Sequence, residues 1–219
     1  MSTDDRPTWV FGYGSLIWKQ DFPFLEDRQA SITGWARRFW QGSHDHRGLE
    51  HDPGRVVTLV ASPGQRCEGR AFLVQPEVFE HLDHREINGY QRYRVDLGLG
   101  HVSAHEHAPG VMYVAATDNP AFLGDAPIDQ MVAQIRRCAG ASGTNVEYVL
   151  ELARALRDLG ETDDHVAALA AVIVIVVLFI ALGGRNGGQV SADTGGANGG
   201  PERGPTATAE MSIPVELSM

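Results

Sequence analysis

The sequence is poor in cysteine, and it lacks an apolar segment at its beginning. Cys67 and Cys138 are its two cysteines, and neither stands in a C-x-x-C or zinc-like spacing. A reducing cytosol fits this pattern without being required by it. The N-terminal residues MSTDDRP contain no apolar h-region. We therefore expect no secretory signal and a cytoplasmic protein.

Positive charge is also scarce. Lysine and arginine total 18 against 28 aspartates and glutamates, which gives a formal net charge of −10. Such a chain repels nucleic-acid phosphate and offers no basic stripe to hold it, so we expect no nucleic-acid partner. A length of 219 residues suits one domain with a proper core and a modest appendage.

A short apolar strand that runs into a glycine-containing loop lies near the N-terminus. Val10 and Phe11 have strand character, and Gly12 and Gly14 allow backbone angles or a close ligand approach that a Cβ would hinder. Backbone N–H groups that converge in such a loop suit an anionic or carbonyl oxygen. The alternative is a hairpin loop whose glycines only make the bend.

The same loop does not match the common nucleotide-binding motifs. Ile17 stands where the third glycine of a dinucleotide fingerprint belongs, and no P-loop lysine-serine pair follows. Tyr13 and Ser15 instead place two hydroxyls beside the backbone amides. The loop therefore favours a small polar ligand over a dinucleotide.

Hydrophobic patterns further along the chain predict an antiparallel α+β fold, because many strands occur with few alternating helices. A turn at Pro63 and Gly64 is expected to join two strands into a hairpin. The polar stretch 43–53 reads as a loop. The predicted strands are 30–42, 55–61, 70–75, 90–97 and 111–116, and the predicted helices are 76–86, 126–138 and 144–159.

Histidines of H-x-H spacing occur in two places, but no acidic or cysteine block supports a metal site beside them. We read them as loop polarity and expect no metal. The residues are His44, His46 and His51, and His101, His105 and His107.

The C-terminal part differs in composition from the rest. Residues 166–182 form an apolar run without a charge, at the lower limit of length for a membrane span. Residues 183–219 are rich in Gly, Ser, Thr and Pro, and we expect them to be disordered. Two explanations stay open for the run: a tail anchor that holds the protein to a membrane, or a reading-frame change that replaced the native terminus.

Four separate segments of the chain occur in a recognisable order. They are VFGYGSLIW at 10–18, DHRG at 45–48 with PGRVVTL at 53–59, RE at 85–86 with GY at 89–90, and SGTNVEY at 142–148. Together these segments resemble the ChaC family of γ-glutamylcyclotransferases. The resemblance extends from about residue 9 to about residue 160.

This resemblance implies a small mixed β-barrel with helices packed outside it. It also implies the release of 5-oxoproline from glutathione, a small-molecule substrate, without a cofactor. Two alternatives remain: a cyclotransferase for other γ-glutamyl amines or amino acids, and a γ-glutamyl-binding module without turnover. The expected parts are an N-terminal tail at 1–8, the enzyme domain at 9–165, a candidate transmembrane helix at 166–182 and the disordered tail at 183–219.

The resemblance further implies roles for single residues. Glu86 matches the acidic residue that acts as general base and then general acid. Tyr148 would add a hydroxyl, although a helix aromatic that packs on the sheet explains it equally well. Arg47 and Arg55 suit a substrate carboxylate or a structural ion pair. The loop expected to hold the γ-glutamyl group comprises Val10, Phe11, Gly12, Tyr13, Gly14 and Ser15.

Overall fold

The structure is a computed structural model that describes residues 6–85, 89–100 and 106–183. Its centre is a closed barrel in which the strands are bonded in the order β1-β3-β2-β4-β5. The barrel closes where β1 runs parallel to β5, and the other neighbours are antiparallel. The strands are β1 (Thr8–Gly12), β2 (Glu26–Ser43), β3 (Gly54–Val74), β4 (Tyr90–Leu99) and β5 (Glu106–Ala115).

Four α-helices occur in the described part of the chain. The amphipathic patterns predicted at 126–138 and 144–159 are confirmed by α2 and α3. The last three helices share one hydrophobic core with the barrel, which confirms the predicted α+β fold with a small barrel. The helices are α1 (Val78–Arg85), α2 (Ile128–Arg137), α3 (Asn145–Asp158) and α4 (Asp164–Gly183), and a 3-10 turn spans Ser15–Ile17.

The predicted hairpin at Pro63 and Gly64 is wrong. Both halves of β3 pair with the same strand, β2, so the chain continues as one long strand across this point. Gly64 adopts a φ of 80°, and the register shifts here between Thr33 and Trp35. The turn residues therefore form a bulge that bends a long strand around the barrel, as bulges do where a sheet curls.

Strand β1 is buried on both of its faces. Phe11 belongs to the core that the barrel shares with α2, α3 and α4. Its neighbour Val10 points the other way, into a second cluster with Val78 and Leu82 of α1. Burial on both faces explains why the sequence here is a continuous apolar run and not an alternating one.

Helix α4 is buried in its first half and exposed in its second. Val166, Leu169, Ala170 and Ile173 recur at helical spacing and pack into the domain core. From residue 174 the apolar side chains are exposed, with Phe179 at 77%. Asp164–Leu182 is long and apolar enough to cross a membrane. Beyond Gly183, the predicted disordered tail lies outside the described residues.

Arg37, which lies within the predicted strand 30–42, connects three parts of the fold. Its side chain is 1% exposed. Its Nε donates to the Tyr13 carbonyl at 2.7 Å, and its Nη2 donates to the Glu68 carbonyl. Its Nη1 donates to Asp163 Oδ2 at 2.9 Å. Asp163 Oδ1 in turn accepts the backbone N–H groups of the first turn of α4.

We predict that Arg37→Met lowers the free energy of unfolding by about 3 kcal/mol, because a partly buried carboxylate and two backbone carbonyls lose their donor. Arg38→Met is the matched control, since Arg38 is only half buried and its Nη1 donates to the carbonyl of the neighbouring Arg37. The control should cost less than about 1 kcal/mol. Denaturant midpoints of the full chain measure both, and equal midpoints would contradict the role of Arg37.

Candidate functional site

The loop that follows β1 is held from two sides. Arg37 binds the Tyr13 carbonyl, as described above, and the Tyr13 hydroxyl donates to the carbonyl of Tyr113 on β5 at 2.7 Å. The Gly14 carbonyl then accepts the backbone N–H of Ile17 at 3.0 Å, which starts the 3-10 turn. The loop backbone is therefore fixed before any ligand arrives.

The two glycines of this loop are required by close approach. A Cβ on Gly12 would lie 2.7 Å from the Cβ of Leu16. A Cβ on Gly14 would lie 3.0 Å from Val57 Cγ2 and 3.1 Å from the Tyr148 hydroxyl oxygen. Only a bare backbone fits between these groups, so the loop presents its peptide units directly to the space beside Tyr148.

A small recess of about 70 Å³ opens at this point. It contains the predicted loop residues except Val10, whose side chain is buried in the cluster beneath α1. It also contains Tyr90 and Tyr113, which sequence reasoning missed as site residues. The lining comprises Phe11, Gly12, Tyr13, Gly14, Ser15, Leu16, Val57, Tyr90, Tyr113 and Tyr148.

Tyr148 reaches the recess from α3 because its ring is held on several sides. Its centroid lies 5.6 Å from that of Trp18 and 6.0 Å from that of Phe39. The Arg47 guanidinium lies 5.5 Å from the ring centroid. Tyr148 thus packs as an ordinary helix aromatic and also places its hydroxyl beside Gly14. Both readings of this residue describe part of its environment.

The start of α3 is held against β3 by buried hydrogen bonds. Asn145 is fully buried, accepts the backbone N–H of Arg55 at 2.6 Å, and donates to the Arg55 carbonyl at 2.7 Å. Thr144 caps the helix by accepting the N–H of Glu147. This local arrangement fixes the position of Tyr148, one turn into the helix.

A wider cleft of about 200 Å³ continues outward from the recess. Ser15, Tyr90 and Tyr148 line both spaces. Unlike the recess, the outer cleft is lined by charged side chains of both signs. Its other lining residues are Lys19, Asp21, Gly42, Ser43, Asp45, His46, Arg47, Val56 and Ser142.

The two candidate arginines differ in position. Arg47 lines the outer cleft, where its Nη1 donates to Thr144 O at 2.9 Å and to Glu147 Oε2 at 3.1 Å. Arg55 is absent from both linings. Its guanidinium donates to the Gln134 side chain and to two backbone carbonyls, at distances of 2.7 to 3.0 Å. Arg55 is therefore a structural residue.

Glu86 lies outside the described residues, directly after the last residue of α1. The preceding turn is tied to the recess wall, because Asp83 Oδ1 accepts the Tyr113 hydroxyl at 2.5 Å and Asp83 Oδ2 accepts from Arg92. Burial and then the Asp83 hydrogen bond raise the pKa of Tyr113, so its hydroxyl remains a donor at neutral pH. Gly89 and Tyr90 follow Glu86 closely, and Tyr90 lines the recess.

The histidines of the described chain do not converge. Within residues 6–85, 89–100 and 106–183, no group of three or more His, Cys, Asp or Glu side chains could hold a metal ion. His46 instead lies 3.0 Å from the Ser142 hydroxyl, and His107 lies 2.8 Å from Asp96. His101 and His105 are outside the described residues.

Comparison with known proteins gives one consistent result. A sequence profile of the family described as ChaC-like protein matches residues 8–175. A human protein, glutathione-specific gamma-glutamylcyclotransferase 1, is 37% identical over 178 residues, covering 78% of this chain and 80% of its own. An Arabidopsis thaliana protein, gamma-glutamylcyclotransferase 2-3, is 42% identical over 171 residues, covering 74% and 86%.

The fold comparison agrees with the sequence comparison. A crystal structure of a yeast γ-glutamyl cyclotransferase specific to glutathione superimposes with a TM-score of 0.71 at 29% identity. The match covers 78% of this chain and 97% of the yeast chain. It therefore spans nearly the whole of the yeast enzyme.

Proposed function

The chain belongs to the family of ChaC-like proteins, and from this premise we propose that it is a glutathione-specific γ-glutamylcyclotransferase. It cleaves glutathione to 5-oxoproline and cysteinyl-glycine. Within the structure, the proposal rests on Gly14. Its backbone, which carries no side chain, faces the Tyr148 hydroxyl across a small recess. This geometry suits the polar γ-glutamyl end of the substrate.

The reaction needs no nucleophile from the protein. In glutathione the α-amine and the γ-carbonyl belong to the same glutamyl group, so attack of the amine on the carbonyl carbon closes a five-membered lactam. The amide bond to cysteine then breaks, and the cysteine nitrogen takes up a proton. Because the amine and the carbonyl are already joined, the protein lowers the barrier by fixing the rotatable bonds between them in the conformation from which attack occurs.

The recess contributes position and electrostatic stabilisation. The peptide units of residues 12–15 are fixed by Arg37 and Tyr113, so their N–H groups keep one orientation during the reaction. Amides aimed at the γ-carbonyl oxygen stabilise the negative charge that develops there. The loop residues and Tyr148 are therefore the proposed substrate-binding residues.

Glu86 is the proposed proton carrier. The substrate α-ammonium loses one proton before it attacks. As the lactam forms, the attacking nitrogen gives up a second proton and the leaving nitrogen takes one up. A single carboxylate can perform both transfers. The position of Glu86 in the chain supports this role. It directly follows α1, and Asp83 in the last turn of that helix is hydrogen-bonded to Tyr113 of the recess. Four residues after Glu86 comes Tyr90, which also lines the recess.

We predict that Glu86→Gln lowers kcat at least about 100-fold, because the amide keeps the shape but cannot carry the proton. Purified full-length protein is incubated with glutathione, and cysteinyl-glycine and 5-oxoproline are quantified by mass spectrometry. Glu80→Gln is the matched control, because Glu80 is an exposed glutamate of α1, the helix that precedes Glu86 in the sequence. It should keep normal activity.

Three outcomes would revise the proposal. Near-normal turnover by Glu86→Gln would move the proton transfer to another acid, with Glu147 beside Arg47 as the first to test. Wild-type turnover of other γ-glutamyl amines but not of glutathione would favour the second candidate, a cyclotransferase of different specificity. Binding of glutathione without any product would favour a module that has lost turnover.

We also propose that the exposed part of α4 attaches the protein to a membrane surface. Residues 174–182 are apolar on every side of the helix. Lipid can contact all sides of such a helix, whereas a docked protein partner would cover one side of it. This part is about 14 Å long at 1.5 Å per residue. A bilayer core is about 30 Å thick, so spanning it would require the buried first half of α4 to leave the domain core.

Flotation tests this attachment. The full chain should rise with neutral phosphatidylcholine vesicles in a density gradient, and Leu178→Glu with Phe179→Glu should abolish the flotation because charge is expelled from lipid. Gln75→Glu with Gln91→Glu adds the same charge at exposed positions away from α4 and should still float. A wild-type chain that stays below the vesicles as a soluble monomer would contradict attachment. Aggregation without vesicle binding would favour a replaced terminus.

A further inference from the structure

The recess and the outer cleft together determine where the departing half of the substrate lies. A γ-glutamyl group held by residues 12–15 fills the inner recess, which is small. Its amide bond then points toward Ser15, Tyr90 and Tyr148, which line both spaces. The cysteinyl-glycine portion therefore extends into the outer cleft, about two residues or 7 Å beyond the γ-carbonyl.

The carboxylate at the end of that portion needs a cation, and the Arg47 and His46 side chains of the cleft already have polar partners. Arg47 is bound to Thr144 and Glu147. His46 lies 3.6 Å from the Asp45 carboxylate and 3.0 Å from the Ser142 hydroxyl. Both side chains are therefore already engaged by neighbouring protein groups.

Lys19 is the remaining cation of the cleft. Its side chain is exposed, and no hydrogen bond or ion pair to its ammonium occurs among the residues that the structure describes. Its backbone N–H donates to the Ser15 carbonyl at 2.8 Å, so it stands one turn beyond the proposed substrate loop. It is also the single lysine of the whole sequence. All other residues counted as Lys or Arg are arginines.

We propose that Lys19 binds the glycine carboxylate of glutathione and thereby favours γ-glutamyl peptides over γ-glutamyl amines. The inference rests on the proposed function and adds a specificity-determining residue to it. A lysine ammonium suits this position because it is a compact charge on a flexible stem, which can follow a carboxylate at the solvent-exposed end of the substrate. The interaction acts on substrate binding and leaves the chemical step unchanged.

The kinetic test compares two substrates that differ only in this carboxylate. Lys19→Gln should lower kcat/KM for glutathione roughly five-fold, through KM, because a partly exposed ion pair is a modest interaction. The same variant should leave kcat/KM for glutathione glycinamide unchanged. Lys19→Arg should restore most of the preference. Equal losses with both substrates would overturn the proposal.

A charge control is needed because the chain carries a net charge of −10, so removal of any cation weakens attraction of an anionic substrate. Arg154→Gln removes an exposed charge of α3 that lines neither cavity. It should change kcat/KM for glutathione less than about 1.5-fold at physiological salt. A loss equal to that of Lys19→Gln would also overturn the proposal.

A binding measurement separates this inference from the proposed function. Reductive ¹³C-methylation of the full-length Glu86→Gln chain labels the single lysine and the α-amine, which differ in pKa and are resolved by NMR. The Lys19 signal should shift with glutathione and not with its glycinamide. This result can appear even if the protein shows no turnover. Identical responses to the two ligands would overturn the role of Lys19 whatever the activity.

Discussion

The guanidinium of Arg37 is the contact on which the arrangement of the site depends. It joins the Tyr13 carbonyl of the loop after β1, the β3 backbone at Glu68 and the α4 cap at Asp163. Each of these bonds is made by a buried, permanently charged donor, and leaving any acceptor unpaired there carries a desolvation penalty. The loop that presents bare peptide units to the recess is therefore built into the core of the domain.

This rigidity suits a reaction in which the substrate supplies its own nucleophile. The protein has to hold one small group so that its amine and carbonyl meet, stabilise an oxygen and move protons. Gly14 lets the backbone come close, Tyr148 closes the opposite wall, and Asp83 ties the last turn of α1 to Tyr113. The outer cleft, which is lined by charges of both signs, is the proposed place of selection among leaving groups.

Local signals in the sequence were sufficient for the glycine loop, the helices α2 and α3, and the recess residues around Gly12 to Ser15. They failed where the partner of a segment lies far away in the chain. Pro63 and Gly64 have the composition of a turn, but pairing with β2 on both sides makes them a bulge. Arg37 occupies an ordinary strand position in the sequence. Its burial is explained by partners distant in the chain, which are Asp163 and the carbonyls of Tyr13 and Glu68. The division of α4 into a buried and an exposed half depends likewise on tertiary packing.

The central claim, that the α-amine of the substrate is the nucleophile, is tested most directly by running the reaction in H₂¹⁸O. Cyclisation consumes no water, so the account predicts 5-oxoproline without ¹⁸O and cysteinyl-glycine in equal amount, with no glutamate formed. Hydrolysis by an activated water would place one ¹⁸O in the γ-carboxylate of free glutamate. Labelled glutamate as the primary product would contradict the account.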